Sequence, residues 1–280
     1  MPTFKPDPGE MRSVSEPPSA SARASQVKPL ARRAAAGLGL FALLIVYYEV
    51  SPHLWNATIW WDVAWIGFVL IPAVFGLVLI ALPLREEPWL LPAGIAFAVL
   101  AAVLTYADVD VFANFARLGA CTLLGWWFLG YFETVSWVVL VAAIIPWVDA
   151  YSVWRGPTKQ IVEHHANVFG VLSFAFPVPG EHSAANLGVP DLLFFALFLA
   201  AAARFGLRVY WTWVTLVAAL GLTIAATVWW DLSGLPALPG IALGFLLPNA
   251  DLLWSRWRRS KRTPPGSDPV DGSEGQPATE

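Results

Sequence analysis

Eight apolar runs, each roughly 17–25 residues long, restrict what this chain can fold into. They cover residues 34–50, 63–84, 89–106, 113–132, 134–154, 186–207, 209–230 and 235–254. An α-helix rises about 1.5 Å per residue, so each run is long enough to cross a bilayer core of about 30 Å. Inside hydrocarbon every backbone N–H and C=O must be bonded within the protein, which leaves helices as the expected form. Composition agrees: 57% of residues are hydrophobic and 13% charged, against about 25% charged in an ordinary soluble domain. The sequence predicts an all-α, polytopic transmembrane helix bundle of about eight spans.

The segments between the runs support that organisation. Residues 1–30 are polar and rich in Pro and Ser, and 259–280 run from basic to acidic. Both have too little apolar surface to offset the entropy of ordering, and are expected to be disordered tails. No cleavable signal peptide is expected in the first of them. Residues 31–133 then form an N-terminal bundle of four spans, and 134–258 a second set of four with one long loop, 155–185. Lys28, Arg32, Arg33, Arg85, Arg204, Arg208 and the basic run from Arg256 to Arg262 all fall on one side of an eight-span topology. By the positive-inside rule that side is cytoplasmic and holds both termini, as in a multi-pass protein of the inner cell membrane. The sixteen tryptophans cluster near the ends of the runs, the level of the headgroups. The partners expected are the lipid bilayer and molecules within it, with no nucleic acid.

Two acids stand out against this background. Asp149 lies between Trp147 and Tyr151 near the outward end of the fifth run, and Asp191 near the start of the sixth. A charged side chain at membrane depth costs roughly 2.5–3.5 kcal/mol on insertion scales, so such residues point to function. Both are expected some 7 Å inside the outer helix ends, level with each other on antiparallel neighbours. Pro146 and Pro190 make the helices irregular beside them. The alternative for Asp191 is a residue favoured by a helix N-terminal dipole. Asp62, Asp108, Asp110 and Asp231 are expected to cap helices or reach headgroups, Glu49 to be interfacial, and Asn249 and Asp251 to serve a helix end. Arg117 can neutralise a carboxylate or snorkel to the interface, and snorkelling is the simpler expectation. Glu163, His164 and His165 invite a metal reading, but adjacent histidines do not share a helix face, and no metal or other cofactor is expected. Cys121 alone excludes a disulfide framework.

The ordered motifs of the second half resemble those of the presenilin and signal peptide peptidase family of intramembrane aspartyl proteases. Gly188-Val189-Pro190-Asp191 resembles the family's Gly-x-Gly-Asp, Trp147-Val148-Asp149 its first catalytic helix, and Pro236-Ala237-Leu238 its Pro-Ala-Leu motif. The order is also the family's, and the resemblance covers about residues 134–248. Val148 stands where an aromatic residue is usual, and Pro190 replaces a glycine that would permit close backbone approach. The count of eight runs is one fewer than is common there.

The resemblance implies catalytic roles for Asp149 and Asp191, sharing one proton and activating a water for amide hydrolysis without a metal or covalent intermediate. It implies that Gly188, Pro190, Pro236, Ala237 and Leu238 border the site and help hold an unwound substrate strand. The expected activity is peptide-bond hydrolysis within single-span membrane segments. The alternatives are a proton- or cation-coupled transporter using the same acids, and a catalytically silent relative that binds membrane helices.

Overall fold

The computed structural model describes residues 20–155, 173–232 and 234–262. They are mostly helical: α1 (Ala20–Val50), α2 (Ile59–Glu86), α3 (Leu90–Tyr106), α4 (Asp110–Leu129), α5 (Val135–Arg155), α6 (Val189–Arg204), α7 (Val209–Trp229), α8 (Leu238–Leu246) and α9 (Ala250–Arg262). Before α6 lies a hairpin of β1 (Ser173–Pro177) and β2 (Ala184–Gly188). The first helix begins at Ala20, inside the stretch read as a tail, and the last runs to Arg262.

By length and hydropathy, four described segments are sufficient to cross a membrane: Ala31–His53, Ile59–Glu86, Val135–Ser152 and Val209–Trp229. Helix α3 is apolar but shorter. The physical reason is local: α4 carries Asp110, Asn114 and Arg117, α6 has only 16 residues, and α8 has nine before a break at Leu247–Asn249.

Chain punctuation explains the helix boundaries. Three helices end alike: the third residue after the last helical one reaches back five positions, Val109 N–H to Leu104 O, Leu207 to Ala202 O and Leu232 to Thr227 O. Between, Asp108, Gly206 and Asp231 take positive φ (55°, 59° and 49°), the left-handed residue that closes such a cap. Asp108 and Asp231 are therefore terminators, a role short polar side chains tolerate. In α2 the Pro72 nitrogen cannot donate, and Ile66–Leu70 widens to π winding, with the Ile71 N–H reaching the Ile66 carbonyl.

Helix α6 is the centre of the bundle. Phe195 through Ala202 are 0% exposed, as suits a segment apolar on all faces. It packs against α4, α5, α7 and α8, with Phe195 against Phe75 of α2 (ring centroids 3.9 Å) and Phe198 stacked on Phe245 of α8 (5.0 Å). Gly125 lets α4 approach closely, since a Cβ there would stand 2.8 Å from the Leu193 carbonyl oxygen. Between apolar helices in lipid such packing, with small residues at the contact, supplies the cohesion. Helix α5 is thinly covered: of its described residues only Val138 and Ala142 are buried, and Trp137, Leu140, Ile144, Trp147, Val148 and Tyr151 are exposed.

A hairpin stands where the sequence predicts the end of the 155–185 loop and the start of the sixth helix. Its strands pair antiparallel, Ser173 opposite Gly188 and Pro177 opposite Ala184. Phe174 and Phe176 alternate into the core at 0% and 1% exposure. The turn docks on the segment after α1, with Gly180 N–H donating to Ser51 O at 2.7 Å. Gly180 has φ +74°, and a Cβ on it would stand 2.1 Å from Asn56 Oδ1, so only glycine fits. The sixth apolar run therefore starts as strand, and its helix begins at Val189 and not at residue 186.

Candidate active site

The outer edge of β1 is closed by side chains. Asn114 of α4 holds Ala175 like a neighbouring strand: Nδ2 donates to Ala175 O at 2.8 Å and Oδ1 accepts the Ala175 N–H at 2.9 Å. Tyr48 Oη donates to the same carbonyl at 2.9 Å, Tyr47 Oη to Pro177 O at 3.3 Å and Arg117 Nη1 to Ser173 O at 3.0 Å. Arg117 also donates to Thr105 Oγ1 at 2.8 Å, so this half-buried arginine pins the hairpin to α3 and α4, a use the sequence reading did not include.

These contacts fix which way β2 faces. Ala175 turns its backbone away from β2, so its partner Asn186 turns away from β1. The Asn186 N–H and C=O form the open edge of the sheet, and no described residue pairs with them. The Asn186 side chain is tied inward, Oδ1 accepting from Ser173 Oγ at 3.1 Å.

At the end of that edge the chain turns into α6. Gly188 is the N-cap, in extended conformation, and Asp191 sits in the first turn. Its carboxylate faces the backbone N–H of Gly188, the position of the acidic half of a capping box. Asp191, third residue of α6, thus lies closer to its helix start than the expected depth of about 7 Å. A Cβ on Gly188 would stand 3.2 Å from Asp191 Oδ2, so glycine leaves room for the acid against the strand end. Pro190 also falls in the first turn, where a helix N–H has no intrahelical partner, so its missing donor costs the helix nothing.

Asp149 comes from the far side. It lies in α5, three residues past Pro146, within a helix that continues unbroken to Arg155. Its Oδ2 accepts the backbone N–H of Leu238 at 3.1 Å. Leu238 is the first residue of α8, and the preceding Pro236 and Ala237 are not helical. The carboxylate therefore satisfies one of the orphan donors of that helix. The charge of Asp149 reaches Asp191, and their helices pack on each other and on α8, so both carboxylates lie at one end of the bundle, each at the positive end of a helix dipole. Ala237 and Leu238 are buried beside them, at 6% each.

The structure thus brings together Asp149, Asp191, Gly188 and Leu238, with Pro190, Pro236 and Ala237 adjoining in sequence. Other expectations resolve separately. Asp62, expected to cap a helix or reach headgroups, is buried at 7% in the first turn of α2, with Oδ1 unpartnered. Glu49 is exposed. Asn249, fully buried, donates to Thr212 Oγ1 and Phe245 O at 2.8 Å and accepts the Arg208 N–H at 3.0 Å. Asp251 pairs with Arg208 at 2.7 Å in the open. Glu163, His164 and His165 lie outside the described residues, among which no group of three metal-ligating side chains occurs.

Asn114 and the β2 edge were missed by sequence reasoning. A signal existed: Asn114 and Arg117, three apart in an apolar run, share one helix face and need a polar partner. Phe174-Ala175-Phe176 before Pro179-Gly180 is a short alternating strand followed by a turn. No protein-family model matches the sequence, and no curated protein matches it.

Proposed function

We propose that this chain is an eight-span intramembrane aspartyl protease of the presenilin and signal peptide peptidase type, with its second half as the catalytic unit. The observation that carries the reading is the convergence of Asp149, Asp191 and the Leu238 N–H, from three separate helices, at one end of the bundle. Two carboxylates held together can share one proton: the ionised one takes a proton from water while the other donates to the scissile carbonyl. The same arrangement requires no metal.

The open β2 edge supports a way to present the bond. A substrate segment that unwinds can pair with the Asn186 backbone as an added strand, a common mode of peptide recognition. Its chain would then run past Gly188 towards Asp191. Single-span membrane segments are the substrate class, entering from lipid beside the thinly covered α5. The protein would reside in the inner cell membrane with both termini cytoplasmic, placing its arginine-rich end on that side.

One observation favours the silent, helix-binding alternative: both carboxylates already hold helix N-termini, a purely structural use. Expression of the full chain with a tagged single-span reporter separates the two. Cleavage within the span that disappears in both Asp149→Asn and Asp191→Asn supports the protease. A wild-type protein that captures the reporter uncut supports the silent relative.

A further inference from the structure

At the opposite end of the bundle a cavity of about 440 Å³ opens between the ends of four helices, lined by Arg85, Glu86, Trp126, Arg204 and, at its rim, Glu87 and Trp127. That volume lies within the range of small-molecule sites. Two nitrogens of its lining residues lack partners: Trp126 Nε1 and Arg85 Nε are enclosed by protein and make no hydrogen bond. Trp126 is only 2% exposed. Indole and guanidinium nitrogens can only donate, so what completes them is an acceptor. Arg204 adds a second guanidinium, fixed by its 2.7 Å bond to the Leu129 carbonyl.

The cavity is not simply cationic. Glu86 pairs with Arg85 at 2.6 Å, and Glu87 is exposed at the rim. Two guanidiniums and two carboxylates balance, so an anion would add uncompensated charge, whereas a zwitterion would not. The exposed Trp89 and Tyr131 flank it in sequence, residue types that settle at headgroup level.

From these features we infer that the cavity is a binding site for the phosphoethanolamine headgroup of a membrane phospholipid. The phosphate oxygens accept from Trp126 Nε1, Arg85 and Arg204, which a small inward movement of the headgroup or side chains brings into contact. The ammonium donates to Glu87 and Glu86. A choline headgroup has no N–H to give these carboxylates, and a glycerol headgroup has no cation. This site is independent of the carboxylate pair and of any activity there.

Native mass spectrometry of the full chain in detergent, titrated with phosphatidylethanolamine, phosphatidylglycerol or phosphatidylcholine, tests it. Phosphatidylethanolamine is expected to be retained at least about tenfold better than the other two, the scale of one charge-assisted hydrogen bond. Glu87→Gln, an exposed and conservative change, should erase most of that preference, whereas Trp126→Phe, which removes a phosphate donor together with the indole's second ring, should lower retention of all three lipids. Equal retention of the three lipids, a preference untouched by Glu87→Gln, or retention of all three unchanged in Trp126→Phe overturns the assignment. Displacement of the lipid by millimolar inorganic phosphate would also overturn it, in favour of a site for free phosphate.

Discussion

Asp149 of α5 accepts the backbone N–H of Leu238 at 3.1 Å, joining two segments 89 residues apart through a carboxylate whose charge also reaches Asp191. One atom thus serves as helix cap and as part of the acid pair. The two duties separate by substitution. Asp149→Asn keeps an acceptor for Leu238 and removes the acid, while Asp149→Ala removes both. Reporter cleavage is expected to vanish in each, whereas thermal unfolding in detergent should reveal a loss of about 0.5–2 kcal/mol in the alanine variant only.

Gly188→Ala tests how tightly the strand end holds Asp191. Its φ of −63° suits alanine, so the backbone is unstrained, but the new methyl would lie 3.2 Å from Asp191 Oδ2. A carboxylate displaced by a few tenths of an ångström should cost about tenfold in cleavage rate, given that an ångström costs about a hundredfold. Initial rates should fall at unchanged melting temperature.

Asn114→Leu removes the side chain that mimics a third strand. Ala175 would lose both backbone partners on that face except for Tyr48. With one buried donor unmade, a loss of about 1–3 kcal/mol is expected. Hydrogen exchange should accelerate at Ala175 while α6 amides stay protected.

Asn186→Pro addresses the open edge. The Asn186 N–H points away from β1, so proline removes no ladder bond, and edge strands accept it. The Ser173 Oγ contact is lost as well, which Asn186→Ala reproduces alone. If substrate adds as a strand, proline should abolish cleavage while alanine leaves most of it, measured with the same reporter.

Helix positions were legible because apolar runs end at unmistakable punctuation, such as Arg85-Glu86-Glu87-Pro88 and Asp108-Val109-Asp110. That Asp149 and Leu238 share one end could be reasoned from alternating helix direction. The hairpin was not legible: each strand has five residues, too few for period-two alternation to stand out in a chain that is apolar throughout. Its outer partner is an amide side chain from another helix, which no strand pattern announces. Pro190 was expected to make its helix irregular, but position decides that effect, and a proline in the first turn leaves the helix intact.

The burial of α6 bears on how the protein is made. At 16 residues the helix rises about 24 Å, short of a bilayer core of about 30 Å. Such a segment, carrying Asp191 at its head, is a poor passenger for insertion on its own. It would enter lipid only as its neighbours arrive to wrap it, so the two acids meet late in biogenesis. A half-assembled chain would then carry its acids apart, so the activity proposed for them would be withheld until the bundle closes.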